Sequence, residues 1–145
     1  MRLALHLAAT TLLLLVDCSK RPDALPNASA ESGTPAAVAD ALRAAGLELK
    51  SAGTLQQPFF SVPAQVFTVD GSDLQIYAFG SASEAENAAK KVASDGGSIG
   101  TTAMAWMAPP HFFRQDRLVA IYIGSSAKTL AELQRILGPQ FAGRT

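Results

Sequence analysis

The side chains of this chain that can do more than pack gather in one stretch, Trp106-Met107-Ala108-Pro109-Pro110-His111-Phe112-Phe113-Arg114. It holds the sole tryptophan and, apart from His6 in the apolar leader, the only histidine. As an aromatic rim, Trp106 with Phe112 or Phe113 offers contact surface to a hydrophobic, glycan or peptide ligand, with His111 or Arg114 as polar handles. As a catalytic base, His111 would need a nucleophile and an orienting carboxylate. Asp116 or Asp73 can serve as the carboxylate, but no Gly-x-Ser-x-Gly elbow supplies a nucleophile. The plainer account is structural: alternate aromatics fill a core, the prolines bend the chain, and His111 makes one hydrogen bond at a sheet edge. Periodicity already explains most of these residues, and so favours packing.

Other chemistry is excluded more sharply. A histidine metal site would need further soft ligands, and Cys18 and His6 lie far upstream of His111, so no metal or other cofactor is expected. Asp70-Gly71-Ser72-Asp73 lacks the additional carboxylates of a calcium loop and reads as a hairpin turn. Asp95-Gly96-Gly97-Ser98-Ile99-Gly100 superficially suggests a phosphate loop, but no Lys-Ser/Thr follows and it comes after a helix, so it reads as a connection. Twelve basic and twelve acidic side chains are interspersed, giving a formal charge of zero. Without a basic face there is no counterion-release energy for a nucleic-acid partner.

The lone thiol belongs to a different part of the chain. Leu3 to Val16 is apolar except for His6 and two threonines, with Arg2 before it. The run is shorter than the roughly 20 residues of a membrane-spanning helix and fits a secretory signal core. Leu15-Val16-Asp17-Cys18 at its end resembles the lipobox of bacterial lipoproteins, departing from that pattern at Asp17, where the family has a small neutral residue. The resemblance implies a signal peptide over 1–17, a lipid on the Cys18 thiol, and a protein held at the bacterial envelope outside the cytoplasm, with Ser19 compatible with passage to an outer membrane. Ala28-Ser29-Ala30 supplies the alternative, ordinary cleavage and secretion. Residues 18–34, rich in Pro, Ser and Ala, form a tether.

A single domain is expected over 35–145, large enough at about 110 residues to fold without disulfides. Thr34 and Pro35 start a helix carrying Val38 and Leu42, and Leu47 and Leu49 begin a strand. Two ββα units follow. Gln65 to Val69 and Asp73 to Phe79 flank the first turn, and Gly80-Ser81 leads to a helix bearing Ala85 and Ala88. His111 to Arg114 and Arg117 to Ile123 flank the second, and Gly124-Ser125 leads to Leu130, Leu133 and Leu137. A shift of 44 residues lays Leu74 on Leu118 and Ser81 on Ser125. It also lays Phe59–Val62 over Ala103–Trp106 as candidate third strands. Strands joined by tight turns run antiparallel. The expected fold is therefore α+β, an antiparallel sheet of about five to seven strands with helices packed on one face, two ββα units preceded by a helix and a strand.

The stretch Trp106-x-Ala-Pro-Pro-His-Phe-Phe with Leu118-Val-Ala-Ile-Tyr-Ile-Gly124 also resembles small exported bacterial proteins, a resemblance that implies no activity. The expectation is a lipid-anchored envelope protein with a non-catalytic binding domain, in contact with the membrane through Cys18 and with a protein or small molecule through its domain. The alternatives are a secreted hydrolase centred on His111 and a structural subunit pairing through a sheet edge.

Overall fold

A computed structural model describes residues 33–144. The expected signal peptide, Cys18 and most of the tether lie outside the described residues. The Thr34 hydroxyl accepts the Ala37 N–H at 3.1 Å, and with Pro35 at the start this sets helix α1 at Pro35–Ala44, burying Val38, Ala39 and Leu42. Then come β1 (Leu49–Leu55), β2 (Ala64–Val69), β3 (Ser72–Ala78) and α2 (Ala82–Ala89). The short strands β4 (Ser98–Ile99) and β5 (Thr102–Ala103) precede β6 (Pro110–Gln115), β7 (Leu118–Ile123), α3 (Ala127–Leu137) and β8 (Gln140–Gly143). The main sheet has six strands in the order β1-β2-β3-β7-β6-β8, all antiparallel. The α+β class and both hairpin–helix units are as expected.

The first hairpin turns through Asp70-Gly71 between the paired Val69 and Ser72, with φ of 48° and 83°. Two successive left-handed residues match the twist of the flanking strands, and glycine adopts the second without a Cβ penalty. The hairpins meet through β3 and β7, where Ile76 faces Ala120 and Leu74 faces Tyr122. Those are the positions that the 44-residue shift equates or crosses, so this central pair has approximate two-fold symmetry about an axis normal to the sheet.

The helices break that symmetry. Helices α1 and α3 share one core with Leu74, Ile76, Phe113, Leu118, Ala120 and Tyr122. Helix α2 packs on the opposite face, where Ala85 and Ala88 meet Tyr77, Phe112, Val119 and Ile121. The expectation of helices on one face is thus corrected: both faces are covered. The cause lies in the connections. Ser81 caps α2, five residues beyond Ile76, whereas Ser126 caps α3, six residues beyond Ala120. Successive residues of a strand face opposite sides, so one added residue sends the exit to the other face.

Two further differences bear on the site. Residues 59–62 form a loop and Ala103 alone of the matching segment is in a strand, so neither unit has a third strand in the main sheet. Gly138-Pro139 ends α3 but the chain returns as β8, pairing with β6. The Gly143 N–H then reaches Ser94 O at 2.9 Å, which closes that sheet edge. No helix among the described residues is long and apolar enough to cross a membrane.

Candidate functional site

Strand β6 distributes the expected site residues by simple alternation. His111 and Phe113 project toward α3, and Phe112 and Arg114 toward α2. They do not form one rim. Phe112 and Phe113 are both buried, one in each core, and each stabilises the fold by about 1.5–3 kcal/mol through burial alone. Arg114 is exposed on the α2 side. There it adds to a favourable field at Glu86, whose carboxyl is held below the usual carboxylate range first by its bond to Lys90 at 2.8 Å and by that ammonium's charge.

His111 is only 4% exposed and stacks on Tyr122 with ring centroids 6.1 Å apart. Its Nδ1 lies 2.9 Å from Gln140 Oε1. Because that oxygen only accepts, Nδ1 is assigned the proton, which leaves Nε2 a lone pair that is buried and finds no protein partner. Neither carboxylate proposed to orient it is near its working face. Asp116 sits in the turn at the far end of β6, with φ 49°, and Asp73 is exposed on the opposite side of the sheet from His111. The imidazole is thus a core group tying β6 to β8. No cluster of three metal-ligating side chains occurs among the described residues.

Trp106 is placed differently. Its indole N–H donates to Gly96 O at 2.7 Å, and its ring meets Phe112 edge to face, with centroids 5.9 Å apart. Gly96 permits this approach: its φ is 71°, and a Cβ there would stand 2.8 Å from Phe112 Cε2. The half-buried indole lines a cleft of about 470 Å³ with Met104, Met107, Asp95, Gly97 and Arg144. Met107 is fully exposed at its lip. The Asp95 carboxylate is pinned by the Gly97 N–H, 2.8 Å from Oδ1. The Gly97 carbonyl accepts from Met104 N at 3.0 Å, so the two walls are bonded to each other.

A second aromatic cluster escaped the sequence reading. Phe59, Phe60, Tyr77 and Phe79 form successive ring contacts under α2, with Phe60 and Tyr77 centroids 4.8 Å apart. Beside them a cavity of about 170 Å³ is rimmed by Glu84, Asn87 and Lys91. The signal for it was the Phe-Phe pair between Pro58 and Pro63, which reads as a strand by composition. Tyr77 donates to Gln75 Oε1 at 2.9 Å, and burial pushes its phenol well above its ordinary range.

The Trp106 cleft has the shape and mixed chemistry of a binding site and lacks a nucleophile with an adjacent base. Comparison with family models, with curated proteins and with solved structures finds no match to this chain.

Proposed function

We propose that this protein is a lipid-anchored bacterial envelope protein, tethered through Cys18, whose domain binds a ligand or partner at the Trp106 cleft and performs no catalysis. The observation that carries the binding role is the cleft itself. A tryptophan fixed by its own N–H, two methionines and one pair of opposite charges converge on an open volume, while His111 is spent on packing. The anchor is supported by the apolar leader ending in Leu15-Val16-Asp17-Cys18. More than one acyl chain on that cysteine would hold a membrane firmly, each buried methylene contributing about 0.8 kcal/mol. Metabolic labelling with an alkyne palmitate analogue tests it: the wild type should be labelled and Cys18→Ala should not. No label on the wild type, or label that survives Cys18→Ala, would remove the anchor.

Assembly through a sheet edge is favoured by one observation. Strand β1 lies at the edge of the sheet, and every residue after Leu49 is exposed on both faces. The bulge between Ser51 and Gly53 works against it, as such irregularities blunt edge pairing. Native mass spectrometry should find a monomer, and a stable dimer would favour assembly instead.

A further inference from the structure

We infer that the ligand of the Trp106 cleft is a neutral saccharide, an inference that rests on the cleft being the binding surface. From Gly96 to Pro110 the chain has no Asp, Glu, Lys or Arg. The cleft's formal charges are Asp95 and Arg144 at its rim, one of each sign. An anionic or cationic ligand therefore meets no net attraction, which separates this site from phosphate, nucleotide and polyanion sites.

A purely apolar ligand fits no better. It would strip water from the Asp95 carboxylate and the Arg144 guanidinium without replacing their hydrogen bonds, and unpaired charges are the costliest groups to desolvate. Arg144 is exposed and in no ion pair among the described residues, so its donors are free for a ligand. Asp95 has one oxygen occupied by Gly97 N–H and lone pairs to spare. A saccharide satisfies both groups at once, with adjacent hydroxyls donating to the carboxylate and accepting from the guanidinium. Its C–H face lies against an aromatic ring, here an indole whose N–H is already engaged by Gly96 and whose tilt is held by Phe112. The volume of about 470 Å³ falls within the ~300–1,000 Å³ of small-molecule sites.

The test applies the purified full-length chain in detergent to an array of immobilised neutral and acidic glycans and, in parallel, to an array of uncharged peptides. Binding confined to neutral glycans is expected, reduced at least tenfold in Trp106→Ala, largely kept in Trp106→Phe, and weakened several-fold in Arg144→Ala. Because Arg144 is exposed, that variant keeps the inference testable if Trp106→Ala does not fold. Preference for acidic glycans, or neutral-glycan binding unaffected by both Trp106→Ala and Arg144→Ala, overturns it. Capture of uncharged peptides with no glycan signal overturns the saccharide and leaves the cleft as a binding surface. Silence on both arrays removes both.

Discussion

The two ββα units use the same strand pattern and end in helices of different character on opposite faces of the sheet. Helix α3 lays Leu133 and Leu137 into a core completed by α1 and shared with Phe67, Phe113 and Tyr122. Helix α2 is shorter and offers Ala85 and Ala88. Two small side chains cannot cover a sheet alone, so that face is finished by aromatics brought from loops: Phe59 and Phe60 from one side and Trp106 from the other. Loop-built cover leaves clefts at its seams, and the Trp106 cleft and the small cavity lined by Phe79 lie on this side, while the α3 side has a groove of about 420 Å³ beside Phe113, Leu130 and Gln134 that no tryptophan lines. The aromatic cleft proposed as the binding surface thus sits where a helix is too small for its face, and the two connections that send the helices to opposite faces differ by one residue.

The largest effect should come from altering that connection. Deleting Ser125, which is exposed and makes no core contact, shifts the α3 cap by one residue and directs Leu133 and Leu137 toward the wrong face. Loss of cooperative thermal unfolding by circular dichroism is expected, a larger defect than any single core truncation. A cooperative transition near that of the wild type would show that the cap position does not choose the face.

Core truncations then separate the two faces. Phe112→Ala should cost about 3–5 kcal/mol and Leu133→Ala about 2–5 kcal/mol in urea titrations. Only Phe112→Ala should shift Trp106 emission, since Phe112 is the ring that indole leans on and Leu133 lies across the sheet. An equal shift in both variants would mean the faces are not independent.

The smallest effect concerns Tyr77, buried on the aromatic face. Burial raises its phenol above the ordinary value near 10, so above that pH the unfolded chain loses a proton that the folded chain keeps. Its contribution is complete below pH about 10 and declines as pH rises further. Tyr77→Phe should reduce stability by about 1 kcal/mol at neutral pH, through the lost bond to Gln75, and make the decline above pH 10 shallower. An unchanged slope would contradict this placement.

Much of the fold was legible because it is written in short-range signals. Thr34-Pro35, Ser81 and the Asp70-Gly71 turn act through hydrogen bonds and dihedrals within a few residues, and each stands where its local chemistry requires. Covering both faces was legible too, in Leu118-Val-Ala-Ile-Tyr-Ile, which shows no alternation because the strand is buried on both sides. The likeness of the two hairpins points the other way, to helices on one face, because the extra residue before α3 is a single serine without a pattern of its own. Strand β8 was not legible: Gln140-Phe-Ala-Gly143 has little pattern of its own and is held by pairing with β6 and by Ser94, both remote in sequence. In the candidate site, His111, expected at a sheet edge, is interior because β8 pairs outside β6, whereas the core role of the strand's aromatics followed from period two. The cleft did not, because Asp95 and Arg144 are brought to Trp106 only by tertiary packing.

The central claim is that the surface open for binding is the Trp106 loop and that the adjoining His111-Phe112-Phe113 strand is interior. Hydroxyl-radical footprinting of the full-length protein, read residue by residue by mass spectrometry, tests it directly. Met107 should be modified fastest, Trp106 at an intermediate rate, and His111, Phe112 and Phe113 should stay protected until the protein unfolds. Modification of His111 or Phe113 as fast as Met107 in the folded protein would contradict the account.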